Sequence, residues 1–173
     1  MAEERSSQRV APGLRAATAE DAALIAGWLN EPTIRRYLSS NLRDGGMTPG
    51  LVRAALRRPD QAWYLFLDEH DVPLGLIAFD TIDAADKVAN LWFLLGRSER
   101  SGRGEASGAI ARLLAANPLG LHAATAWVGA PNLASARCLE KAGFQIVGRS
   151  RRAFAVEGAI HDRILYDYAW AAP

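Results

Sequence analysis

The sequence predicts an α+β fold, a mixed sheet with helices covering it. Three observations carry this. Residues 18–58 show helix starts and apolar stripes, and residues 63–80 then change to strand-like runs. From Val88 onward the order is strand, helix, strand, helix, strand, strand. A strand–helix–strand unit puts its two strands parallel, here Val88–Leu95 and Leu121–Val128.

Each element has a local reason. Residues Met1 to Pro12 are polar and read as a loose tail, so the domain is expected over residues 13–173. Thr18 is a candidate N-cap, with Glu20 and Asp21 at the positive end of the helix dipole and Ala22, Leu24, Ile25, Trp28 and Leu29 behind them. Glu31 to Leu38 reads as a second short helix, and Ser39 to Gly46 as a polar loop. Thr48-Pro49 starts a helix running to about Arg58, where Pro59 ends it. Trp63–Leu67 and Pro73–Asp80 form a hairpin across Asp68–Asp71. Gly104–Ala116 carries a helix face, stopped by Asn117-Pro118. Leu133–Ala142 is a helix closed by Gly143 at C′. Phe144–Phe154 and Ile160–Trp170 are the last strands, joined at Glu157-Gly158.

Composition excludes several classes of function. The chain has 173 residues, 50% hydrophobic and 23% charged, with a net charge of +1. That describes one ordinary globular domain and lacks the basic excess of a dedicated nucleic-acid binder. A single cysteine, Cys138, forbids an internal disulfide and a thiolate metal site. His70, His122 and His161 are far apart and show no ligand spacing, so no metal is expected. No apolar run approaches the length of a membrane span, and the first residues lack the apolar core of a signal peptide. The expectation is therefore a cytoplasmic protein with no membrane or nucleic-acid partner.

Ser101-Gly102-Arg103-Gly104-Glu105-Ala106-Ser107 follows a strand and opens a helix. Free amides at a helix start, with small residues that let a ligand approach, suit a phosphate group. Arg97, Arg100 and Arg103 add positive charge. The alternative is a flexible glycine turn. No Gly-Lys-Ser/Thr follows, so this is not a P-loop, and the third glycine of a dinucleotide fingerprint is missing.

A second constellation runs from Asn132 to Phe144. Asn132 ends a strand and starts a helix, so its side chain either caps that helix or hydrogen-bonds an amide-containing cofactor between the parallel strands. Ser135 stands one turn further on.

Together the two segments resemble the GNAT acyltransferase superfamily, which uses acyl-coenzyme A. The resemblance spans about Leu14 to Trp170. In the family's first motif, Gly104 and Ala106 match, while Ser101 stands where arginine or glutamine is usual. In the second, Asn132, Ser135 and Gly143-Phe144 match. Trp28-Leu29-Asn30-Glu31-Pro32 and His161-Asp162-Arg163-Ile164-Leu165-Tyr166 look like the branch of ribosomal-protein N-terminal, amino-sugar and small-molecule acetyltransferases.

The resemblance implies a GNAT-like, mostly antiparallel sheet with a splayed central parallel strand pair, flanked by helices. It implies acetyl transfer from acetyl-CoA to a primary amine of a small molecule or a protein N-terminus, by direct attack, in a monomer or homodimer. Unpaired backbone near Leu94, Leu95 and Gly96 would pair with the pantetheine arm, and the backbone N–H of Leu95 is the candidate oxyanion donor. The pyrophosphate would lie on Ser101, Gly102, Arg103, Gly104, Ala106 and Ser107, with Asn132 and Ser135 also binding the cofactor. The family's tyrosine, seven residues after the asparagine, is Leu139 here, leaving Ser135 as candidate acid. Glu31, Asp80 and Asp162 are the candidate bases, each through water. His161 and Asp162 are adjacent on a strand and point to opposite faces, so they cannot share one site. Cys138 reads as packing, as do Trp63, Trp92, Trp127 and Trp170. The different class of function left open is a non-catalytic coenzyme A-binding sensor or assembly module.

Overall fold

The computed structural model describes residues 9–43 and 45–171. Residues 1–8 of the expected tail lie outside them, and the remainder is not a tail. Arg9–Ala11 forms strand β1, turns through Gly13 at φ +66°, and pairs antiparallel with β2 (Leu14–Ala16). A three-residue strand of this composition has no readable pattern. It is held by its neighbours, with Arg9 Nη2 2.6 Å from Asp71 Oδ2.

The helices begin where capping chemistry places them. Thr18 precedes a single 3₁₀ turn, Ala19–Asp21, and its backbone N–H donates to Asp21 Oδ2 at 2.8 Å. Helices α1 (Ala22–Asn30) and α2 (Pro32–Arg35) follow. The expected polar loop after them contains a further short helix, α3 (Ser40–Arg43), tied back by Arg35 Nε donating to the Arg43 carbonyl at 2.7 Å. Helix α4 (Pro49–Leu56) is capped by Thr48 Oγ1, which accepts from Leu51 N at 3.2 Å.

Strands β3 (Ala62–Leu67), β4 (Pro73–Asp83) and β5 (Val88–Leu95) form a meander. β4 runs past the expected Asp80 end because Thr81, at φ +48°, begins a register shift between Asp80 and Asp83. Then come α5 (Glu105–Ala116), β6 (Ala123–Gly129), α6 (Leu133–Ala142), β7 (Gln145–Val156) and β8 (Ala159–Ala169). Gly143 ends α6 at φ +105°, which a Cβ would oppose.

The eight strands form one sheet in the order β1-β2-β3-β4-β5-β6-β8-β7, with β5–β6 the parallel pair. One core lies between one face of the sheet and α5 and α6, around Ile77, Leu91, Ile110, Leu113 and Tyr166. A second lies under α1 and α4, around Ile25, Leu29, Val52, Leu65 and Leu76. The second core reaches only β3, β4 and β5. On the β6–β8 half of that face the Trp127 ring stands against Phe154, which in turn stacks on Tyr37.

Candidate active site

Strands β5 and β6 pair over only three positions: Val88 with Ala123, Ala89 with Ala124, and Asn90 with Thr125. Beyond Thr125 the next partner of β6 is β8 alone, so β5 from Leu91 onward has an unpaired edge. The opening is the mouth of a cleft of about 880 Å³ lined by both strands, by α2 and α3, and by the first turns of α5 and α6.

The backbone direction along β5 follows from its pairing with β4. Gly96 N donates to Leu74 O at 2.8 Å, in register with Leu95 opposite Gly75. Hydrogen-bonded pairs in an antiparallel ladder alternate, so Leu94 and Trp92 turn their N–H and C=O toward β4. Leu91, Phe93 and Leu95 turn theirs toward the gap. Leu95 N–H is thus a donor without a ladder partner, whereas the Leu94 peptide is committed to β4. Gly96 also lies outside the cleft: its N–H is bonded to Leu74, and a Cβ at that position would overlap the Trp28 ring.

The glycine turn sits at the open end. Gly102 and Gly104 have φ of +80° and +78°, a conformation that favours glycine. No side chain caps the amides that open α5 at Gly104, and a Cβ on Gly102 would meet open space. Ser107 Oγ donates to the Gly104 carbonyl at 3.0 Å and leaves those amides free. Such an end suits a diphosphate. Ser101, Gly102, Gly104, Ala106 and Ser107 line the cleft, whereas Arg103 faces a smaller hollow beside Arg112. Arg100 is not a free cation, because its Nε donates to Glu105 Oε1 at 2.9 Å. Two cations that sequence reading passed over, Arg137 and Lys141 on α6, line the cleft without an ion-pair partner among the described residues. They stand four residues apart on the helix face that also carries Ala134.

Asn132 takes the capping role of the two the sequence left open and keeps its amide nitrogen available for the other. Its Oδ1 caps α6 by accepting from Ser135 N at 3.2 Å, and its amide Nδ2 has no bond to the described residues. Ser135 lines the cleft with its hydroxyl unbonded to the described residues. Leu139 is 1% exposed and fills core space where the family has tyrosine. Cys138 also borders the cleft, but burial pushes its thiol up to about 12, so it is neither thiolate nor nucleophile near neutral pH.

Of the three candidate bases, only Asp80 lines the cleft. Asp162 is turned away, accepting from Arg152 N at 2.8 Å and facing Arg149 at 3.4 Å, and Glu31 lies between α1 and α2. Asp80 stands opposite Asn90, whose Nδ2 donates to its Oδ1 at 3.0 Å; Thr81 Oγ1 donates to the same oxygen at 3.3 Å. Asn90 is five positions from Leu95, or about 16 Å at roughly 3.3 Å per residue. A proton lost near Leu95 reaches Asp80 only through water. Trp92 and Trp127, expected in the core, are half-buried and line the cleft; Trp63 is buried as expected.

Comparison with known proteins agrees with this fold. Residues 13–145 match the model of the acetyltransferase (GNAT) domain family. No curated protein sequence matches the chain. Among solved structures, a Vibrio cholerae spermidine N-acetyltransferase in complex with CoA and spermine is similar at a TM-score of 0.76 and 21% identity, covering 90% of this chain and 94% of that one. A RimL ribosomal L7/L12 alpha-N-protein acetyltransferase in complex with coenzyme A gives 0.75 and 18%, covering 90% and 92%. A putative phosphinothricin N-acetyltransferase gives 0.73 and 20%, covering 92% and 98%. With the family model spanning most of the chain and the splayed strands in place, this protein belongs to the GNAT acetyltransferase family.

Proposed function

We propose that this protein transfers an acetyl group from acetyl-CoA to a primary amine, of a small molecule or a protein N-terminus, by direct attack. The observation that carries this is the unpaired edge of β5 beyond Asn90, opening beside an uncapped α5. Acetyl-CoA supplies the activated acyl group. The residues present fit it: the amides of Gly102 to Ser107 for the diphosphate, Asn132 Nδ2 and the β5 edge for amide groups of the pantetheine arm.

The residues divide the chemistry as follows. The acceptor arrives as an ammonium and gives one proton, through water, to Asp80, which returns it to solvent. The nitrogen lone pair forms the C–N bond, and Leu95 N–H donates to the acyl oxygen as charge builds on it. The C–S bond breaks with its electron pair on sulfur. The second nitrogen proton ends on that sulfur, carried by the Ser135 hydroxyl, which lines the cleft. The inert Cys138 thiol supports direct transfer over an acyl-cysteine route.

The test is thiol release from acetyl-CoA across a panel of amines, alongside calorimetric binding of CoA. Release with any amine supports the reading. Tight CoA binding with no release from any amine would replace it by the non-catalytic CoA-binding module, for which the missing tyrosine at Leu139 is the favouring feature.

A further inference from the structure

Beside the cleft stands a cation that the chemistry above leaves unused. Arg163 on β8 stands opposite Gly129 of β6 and lays its guanidinium over Trp127, with Cζ 4.0 Å from the ring centroid. Trp127 and Gly129 line the cleft, and Arg163 adjoins them from the next strand without itself being among the lining residues. The Nε of Arg163 is fully buried without a hydrogen-bond partner, and no carboxylate or carbonyl of the described residues pairs with its other nitrogens. The neighbouring arginines differ. Arg36 is 2.6 Å from Glu157, Arg43 Nη1 donates to the Ala155 carbonyl at 2.7 Å, and Arg149 faces Asp162. Only its Nε is both buried and unbonded, and the planar fork of a guanidinium suits a carboxylate or phosphate.

The strand registers place Arg163 at the reacting end. Pairing of β5 with β6 ends at Asn90 and Thr125, and Gly129, with Arg163 opposite it, lies four residues further along β6 in the direction in which β5 runs on to Leu95. The acids on this face lie at the closed end, Asp80 opposite Asn90 and Asp167 opposite Thr125. Between them Ile34, Leu38, Leu42 and the rings of Tyr37 and Trp127 give the wall its apolar surface, with Thr33, Arg36 and Ser39 among them. Each of those two rings already carries a guanidinium on one face, Arg36 standing 4.9 Å from the Tyr37 centroid. Additional ammonium groups entering here meet positive charge and occupied aromatic faces.

Resting on the acetyl-transfer reading, we infer that the acceptor is a primary amine with an apolar body and an anionic group, carboxylate-like, which Arg163 holds on the Trp127 platform. The two sources of that chemistry are a free amino acid or related small molecule, and a peptide N-terminus followed by acidic residues. A polyamine does not fit.

The experiment compares matched acceptors in the thiol-release assay: phenylalanine with 2-phenylethylamine, a hexapeptide beginning Ser-Asp-Asp with one beginning Ser-Asn-Asn, and spermidine. The expected result is a kcat/KM at least about tenfold higher for the anionic member of one pair, which also identifies the source, and lower for spermidine. Arg163→Met keeps the stem on Trp127 and removes the charge. It should erase that preference while acetyl-CoA affinity stays unchanged, and Arg163→Lys should restore part of it. Preference for spermidine, no preference within either pair, or a preference that survives Arg163→Met would overturn the inference. Failure of the protein to bind acetyl-CoA would instead overturn the acetyl-transfer reading beneath it.

Discussion

Leu95→Pro removes one hydrogen-bond donor from the cleft and nothing from the sheet ladder. Leu95 N–H faces the gap, since Gly96 N bonds Leu74 O and the pairs alternate from there. Proline at position 95 therefore deletes no β4–β5 bond, and the preceding Leu94 is already extended as a residue before proline must be. The stability cost is the trimmed side chain, about 1 kcal/mol for a half-buried residue. Leu94→Pro is the contrast. It removes the ladder bond to the Leu76 carbonyl, leaves that carbonyl buried at a residue 0% exposed, and should cost about 2–4 kcal/mol. For a domain of this size that is a fall in Tm of roughly 5–15 °C. Loss of one oxyanion donor typically lowers kcat by about 10²–10³. The assay is thiol release at saturating amine, with a thermal melt and CoA calorimetry on the same samples. Leu95→Pro should melt within a few degrees of the parent, bind CoA, and turn over about a hundredfold more slowly. Parental kcat would refute the donor role; a melt as low as that of Leu94→Pro would refute the assigned direction of the peptide.

Gly104→Trp should abolish CoA binding by calorimetry while the far-ultraviolet circular dichroism and a cooperative melt persist, because position 104 opens α5 at the exposed cleft mouth and a side chain at φ +78° costs only about 1–2 kcal/mol. Ser135→Ala should lower kcat by about tenfold or more with CoA affinity intact; equal rates would remove Ser135 from the proton path. Asp80→Asn should lower kcat by about 10²-fold and Asp80→Glu should recover part of it, measured as thiol release. Stability should also depend on Asp21, 9% exposed and held by Arg15 at 2.7 Å. Burial alone would raise its carboxyl, but bonds from Arg15 and Thr18 outweigh that and hold it below the usual range. A lowered carboxyl stabilises the fold above the unfolded value, about pH 3.9, and that contribution is lost as pH falls through the folded value. Asp21→Asn should therefore cost about 2 kcal/mol at pH 7 in urea unfolding, and the gap to the parent should narrow below about pH 4.

Much of this was legible in the sequence where a local rule sets structure. β5 at Val88–Leu95 and α6 at Leu133–Ala142 have the predicted bounds, because a continuous apolar run and an Asn132 cap with a Gly143 stop leave few alternatives. The glycine turn was legible for the same reason. What escaped is tertiary. β1 exists through pairing and an ion pair to Asp71, and α3 through the bond from Arg35 to the Arg43 carbonyl. Nothing in the last hairpin's own pattern announces that β8 inserts between β6 and β7. That insertion sets Arg163 over Trp127, so the residue carried no signal beyond its family resemblance. Asp80 was one of three equal candidates until the cleft wall separated them.

The most direct test of the central claim is a crystal structure with CoA bound. The account predicts the pantetheine arm lying along the Leu91–Leu95 edge of β5, bonded to backbone at Phe93 or Leu95, with the diphosphate on the amides from Gly102 to Ser107. Diphosphate density away from the start of α5, or β5 and β6 hydrogen-bonded to each other past Asn90, would contradict it.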